Sequence, residues 1–326
     1  KAAERTAKEA QEEAAERTAR EAQEEAAERT ARETVEKASE KTGAIPLAVA
    51  WNGKKFQYRG TFVSLTENFC SIGMEQPAGN KITGNPSSHP ALSVKWVEDF
   101  PDIPLNRNEA YKLRVTSKGV EIEAITETGV YRAIQTLRQL TEKKGNGIAI
   151  TGCEITDWPA FRIRGFMQDV GRTYISTDEL KREIAILARY KINVFHWHLT
   201  ENQAWRLQSK VFPMLNDSVN TTRQPGKYYT LEEARELAAF CKQHHVLLIP
   251  EIDMPGHSAA FVRTFRHDMQ SPEGMKILKL LIDEVCETFD VPYLHIGTDE
   301  VQFTNPDFVP EMGAYVRSKG KKVISG

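Results

Sequence analysis

Apolar and polar positions along the 326-residue chain fall into three regimes. Over residues 1–42 almost every apolar position is an alanine, and AAERTA recurs at Ala2, Ala14 and Ala26. At ~100° per residue that twelve-residue period turns the pattern by ~120° at each repeat, so no continuous apolar stripe forms and a long coiled coil is not expected. Alanine favours helix, and Glu4 with Lys8, Glu16 with Arg20 and Glu28 with Arg32 set opposite charges one turn apart in the favourable order. The pattern predicts a solvated single helix capped near Gly43, a charged spacer or appended segment. A partner-binding helix is the lesser alternative, because nothing apolar is available to dock.

Residues 44–152 read as a small α+β domain. KLRVTSKGVEIEAI alternates apolar and polar positions on both sides of Lys118 and Gly119, the signature of a β-hairpin. Val130, Ile134, Leu137 and Leu140 then recur at helical spacing, which predicts a helix running on until just before Lys144 and Gly145. No dense set of catalytic residue types falls here, so the domain is expected to pack rather than react.

From residue 153 to 326 apolar strands alternate with amphipathic helices. Strands are expected at 161–170, 193–199, 246–252, 293–297 and 323–325, and helices at 176–189, 231–243 and 274–289. Apolar strands joined by helical crossovers mean a parallel sheet. In such sheets reactive groups gather beyond the carboxyl ends of the strands.

Charge and composition remove several classes of function. The formal net charge is −2 and the apolar fraction 40%, so no global field draws the chain to nucleic acid. No apolar run reaches the ~18 residues a membrane span needs. The first residues lack the form of a signal peptide, although a chain opening on Lys1 is compatible with a leader already removed. Cys70, Cys153, Cys241 and Cys286 lie far apart without a CxxC pair and are expected to be buried free thiols.

The strand candidates share one property: each ends in residues of catalytic type. The first yields Arg164, Asp169 and Arg172, and the second His196, His198, Glu201, Asn202, Gln203 and Trp205. The third yields Glu251, Asp253 and His257, and the fourth His295, Asp299 and Glu300. Singly, each is most simply a satisfied structural group; four such ends at one edge point to a site.

DWPAFRIRGFMQDVGR, HWHLTENQAWR, PEIDMPGHS and HIGTDE resemble, in order and spacing, signature segments of family 20 glycoside hydrolases. The resemblance runs from residue 44 to 326. It implies a (β/α)8-type TIM barrel, here only its first half or so, preceded by the small α+β domain and the solvated helix. The implied activity is exo-β-N-acetylhexosaminidase: hydrolysis of terminal β-linked GlcNAc or GalNAc by a retaining, substrate-assisted route through an oxazolinium intermediate. In that scheme Glu300 is general acid then base, a role that requires it to hold its proton near neutrality, and Asp299 receives the acetamide N–H. Arg164 would grip sugar hydroxyls, and His257 and Glu201 would join the hydrogen-bond network of the acid, with Asp169, His198, Trp205 and His295 in support. Glu201 stands where most members carry aspartate and Thr298 where many carry glycine or alanine, so these two positions depart from the family pattern.

The resemblance implies a glycan partner, no nucleic acid, no cofactor, no metal, and export to a bacterial periplasm or exterior. A rival site would use His196 and His198, which share one strand face, with Asp299 or His257 as further metal ligands. Because a complete barrel takes ~250 residues, a second expectation is an incomplete fragment, weakly catalytic or merely glycan-binding.

Overall fold

The computed structural model describes residues 56–65, 91–117, 119–144 and 147–326. The expected N-terminal helix and Cys70 lie outside the described residues.

The first unit is a sheet backed by one helix. Strands β1 (Phe56–Leu65), β2 (Ala91–Trp96), β3 (Tyr111–Thr116), β4 (Gly119–Ala124) and β6 (Gly147–Asp157) stand in the order β1-β6-β3-β4-β2, and β5 (Thr141–Lys144) also pairs with β6. The alternation in β3 and β4 closes the expected hairpin, with Val115 opposite Val120 and Thr116 opposite Gly119. Its apolar face, Leu113, Val115, Val120 and Ile122, packs with Ala133 and Leu137 of α1 (Glu127–Gln139). Fully burying side chains of this size stabilises the fold by about 1.5–3 kcal/mol each.

Two sequence expectations shift here. Helix α1 stops at Gln139, because Thr141–Lys144 turns back to pair with β6, Lys144 facing Gly147. Strand β6 continues past the expected boundary at residue 152 and pairs with β3 as far as Asp157.

The second unit has five parallel strands in chain order: β7 (Gly165–Asp169), β8 (Val194–His198), β9 (Leu247–Glu251), β10 (Tyr293–His295) and β11 (Lys322–Ile324). Between them run α2 (Thr177–Arg189), α3 (Leu231–Gln243), the short α4 (Ala259–Phe265), α5 (Pro272–Thr288) and α6 (Phe308–Ser318). Capping boxes start two of the helices: Ser176 with Glu179 in α2, and Thr230 with Glu233 in α3. Phe195, Trp197, Leu248 and Leu294 face the helix layer and are buried with Ile184, Leu237, Leu281 and Met312. The alternate positions of the same strands, His196, His198 and Glu251, therefore project to the other face.

Strand β7 is shorter than expected. Its ladder opens at Gly165 opposite Val194, and Phe161 and Ile163 are exposed. Several polar contacts join the two units. Glu109 meets Arg132 at 2.9 Å and also binds Arg164 and Asn193, Lys191 reaches Asp157 at 2.7 Å, and Thr128 contacts His245 Nδ1 at 2.9 Å. Burial alone would raise the Glu109 carboxyl, but Arg164 and Arg132 outweigh it and hold it below the ordinary range.

Candidate active site at the carboxyl edge of the sheet

Parallel pairing brings Asp169, His198 and Glu251 into one row, with His295 opposite Glu251. The loops that follow carry the remaining groups. After β7 the chain turns at Gly171, where a Cβ would come within 2.5 Å of the Glu201 Cβ, so only glycine lets Glu201 lie there. Arg172, just beyond, binds both the Asp169 and the Glu201 carboxylates.

His257 is the hub. It sits after β9 with φ 43, its Nδ1 2.7 Å from Asp253 Oδ2 and its Nε2 3.3 Å from Glu300 and 3.6 Å from Glu201. Asp253 is buried, its amide donating to Thr200 Oγ1 at 2.9 Å. Burial acts to lower the His257 imidazole, but the bond to Asp253 and the nearby Glu201 carboxylate raise it on balance.

Beyond β10 the chain leaves extended geometry, with φ of 64 at Gly297, 94 at Thr298 and 51 at Glu300. Side chains next to each other on a strand point apart, whereas this turn lets consecutive carboxyls serve one place. Glu300 is 73% exposed yet reaches His257, and an Asp299 oxygen lies within 4.8 Å of both Asp253 and His257 ligand atoms.

Beneath this layer Glu251 is buried and touched by three histidines. His198 Nδ1 bonds its Oε2 at 2.7 Å, His196 Nε2 lies 2.7 Å from the same oxygen without hydrogen-bond alignment, and His295 Nδ1 lies 3.2 Å from Oε1. Burial would raise the Glu251 carboxyl, but His196 and His198 outweigh it and hold it far below the usual carboxylate range. His198 in turn is raised: burial opposes its charge, and Glu251 outweighs burial.

Of the residues expected at the site, Asp299, Glu300, Glu201, His257 and Asp169 come together, with His198 and His295 directly below. Arg164 does not join them. It precedes β7, at the opposite end of that strand, and spends its guanidinium on Glu109 and the Lys191 and Phe161 carbonyls. Trp205 is also elsewhere, being 3% exposed within the main core. The cationic group that does reach the cluster is Arg172, which the sequence placed at a strand end without giving it a role. Strand polarity was the available signal, since Arg164 lies before the five-residue strand and Arg172 after it.

Among the described residues three clusters have the spacing of a metal site around the histidines of β8, one of them His198, Glu251 and Asp253, in which His198 Nδ1 is already bonded to Glu251. The Asp169, His198 and Glu201 set already holds a cation, Arg172, against both its carboxylates. The His196, Glu251 and His295 set would need His295 Nδ1, which accepts the Gly297 amide at 3.1 Å.

The family model "Glycosyl hydrolase family 20, catalytic domain" matches residues 161–270, and "Glycosyl hydrolase family 20, domain 2" matches residues 2–158. The chain belongs to glycosyl hydrolase family 20. Among its relatives, the β-hexosaminidase of Porphyromonas gingivalis is 36% identical over 260 residues, 69% of this chain and 32% of that protein. The β-hexosaminidase of Vibrio furnissii is 34% identical over 228 residues, 59% of this chain and 37% of that protein. This family 20 chain thus spans about a third of the length of these curated relatives.

Among solved structures, β-N-acetylhexosaminidase from Bacteroides fragilis superposes with a TM-score of 0.69 at 27% identity, covering 83% of this chain and 64% of that one. A mutant Streptomyces plicatus β-hexosaminidase in complex with the product GlcNAc gives 0.62 at 27% identity, covering 72% and 53%. The α/β content and these TIM-barrel relatives agree with the five-stranded parallel sheet. Among the described residues no helix is long and apolar enough to cross a membrane.

Proposed function

We propose that this chain carries the reacting carboxyls of an exo-β-N-acetylhexosaminidase that removes terminal β-linked GlcNAc or GalNAc by substrate-assisted, retaining hydrolysis. The observation that carries the reading is the reach of His257 from buried Asp253 to Glu300, with Asp299 beside it on the same turn.

Glu300 gives its proton to the glycosidic oxygen as the C1–O bond breaks, while the acetamido carbonyl oxygen of the same sugar attacks C1. Asp299 accepts the acetamide N–H, aims that oxygen and balances the positive charge growing on the ring formed between them. Glu300, now ionised, takes a proton from the water that opens the ring at C1, which restores the acetamide and retains configuration. The His257 imidazole, kept cationic to higher pH by Asp253 and Glu201, steadies the Glu300 carboxylate after its proton has left. Arg172 replaces Arg164 as the expected donor to sugar hydroxyls, its planar fork suiting paired oxygens. No metal enters this scheme, so a chelator is expected to leave the rate unchanged. Loss of rate on chelation, with bound zinc or manganese found by elemental analysis, would move the chemistry to the histidine cluster.

The exposure of Glu300 favours a second reading, in which this stretch alone turns over weakly because water screens its acid. Release of aryl alcohol from an aryl β-N-acetylglucosaminide tests both. Activity in the 326-residue chain that Glu300→Gln abolishes supports the first reading. Activity only in a version extended at its C-terminus supports the second, and activity in neither rejects hexosaminidase function.

A further inference from the structure

The turn that presents Asp299 and Glu300 is conformationally costly. Gly297, Thr298 and Glu300 all have positive φ, a region that side-chain-bearing residues rarely adopt. Such a run persists only where surrounding contacts over-determine it. On one side the Gly297 backbone presses on Asp253, since a Cβ there would lie 1.8 Å from Asp253 Oδ1. On another, the Gly326 amide donates to the Gly297 carbonyl at 2.7 Å. The remaining polar group of Gly297, its N–H, donates to His295 Nδ1 at 3.1 Å.

The His295 ring is itself fixed. Its centroid is 4.5 Å from that of His196. His295 belongs to the last strand residue before the turn, so its imidazole folds forward by two residues to take an amide that the ladder no longer serves. We propose that His295 is a positioning residue: it touches no reacting atom, but its Nδ1 fixes the Gly297 amide and through it the placement of Asp299 and Glu300. The proposal rests on the reading of those two carboxyls as the reacting groups. Displacing that turn would slow the chemistry, because misplacing a reacting group by about 1 Å costs on the order of 10²-fold in rate.

Two substitutions separate the acceptor from the ring. His295→Asn keeps an oxygen near the place of Nδ1 and loses the ring, whereas His295→Phe keeps a ring and loses the acceptor. Each is made in the 326-residue chain and in its C-terminally extended version, and amide hydrogen exchange at Gly297 is read beside kcat and KM. His295→Phe is expected to speed Gly297 exchange and lower kcat by roughly 10²-fold with KM changed less than about threefold. His295→Asn is expected to keep Gly297 protected and to recover most of the lost kcat. Unchanged Gly297 exchange in the Phe variant overturns the proposal, as does equal loss in both variants, including equal loss of the fold. Gly297 exchange is measurable without turnover, so a wild type that releases no aryl product counts against the hexosaminidase reading alone.

Discussion

His257 concentrates the electrostatics of the site in a single ring. One nitrogen is committed to buried Asp253 and the other faces both Glu300 and Glu201, so the imidazole is surrounded by carboxylates. Removing the Glu300 carboxylic acid by Glu300→Gln is expected to lower kcat/KM about 10³-fold on substrates with poor leaving groups, because general-acid catalysis contributes ~10²–10⁴-fold. A decrease of less than tenfold, measured by initial rates, would displace Glu300 from the acid role. The two arginines give a sharper contrast. Arg172→Gln should raise KM by about 10-fold, and because it strips the cation from Glu201, whose side chain is 1% exposed, it should lower unfolding stability as well. Arg164→Gln should leave KM alone and cost about 3 kcal/mol in denaturant unfolding, because it strips a partner from partly buried Glu109. The reverse pattern would return Arg164 to the sugar.

The strands and turns explain why the site was only partly legible. The hairpin of β3 and β4, the helices α2, α3 and α5 and all five parallel strands were readable because their apolar periodicity is long or flanked by capping residues. Helices α4 and α6 were not. The first spans only Ala259–Phe265, and the second carries Pro310 and Gly313, which read as breakers although proline is tolerated in a first helical turn. The carboxyl-edge residues could be named from strand order, Arg164 wrongly among them, and the resemblance then gave Arg164 its sugar-binding role. Its misplacement came from reading β7 as beginning at residue 161, which put a residue of the amino end near the carboxyl edge. Glycine geometry was equally hidden, because nothing in the sequence shows that Gly171 lies against Glu201. Gly171→Ala is expected to push Glu201 aside and weaken its ion pair with Arg172. A rise in KM without loss of helical circular dichroism would match that displacement, and unchanged kinetics would show that the contact yields freely.

Over the whole molecule, charge linkage predicts how the fold responds to pH. His257 and His198 are raised by carboxylate partners, so their contribution to stability is complete below the ordinary histidine value of about 6.5 and fades as pH rises through their higher folded values. Glu251 and Glu109 are lowered, so their contributions are present above the ordinary carboxylate range and disappear as acid protonates them. Thermal unfolding should therefore show greatest stability in mildly acidic buffer, and His257→Gln should flatten the decline on the alkaline side. A wild-type Tm that rises steadily from pH 6 to pH 9 would contradict this.

The proposed route requires the substrate's own amide to supply the nucleophile. The most direct measurement compares two aryl β-glucosides differing only at C2, acetamido against hydroxyl, with the 326-residue chain and its C-terminally extended version. The acetamido substrate is expected to be cleaved at least about 10³-fold faster, the scale of effect seen when an oriented internal nucleophile replaces an external one. Equal rates on the two sugars, or a faster rate on the hydroxyl sugar, would contradict the account.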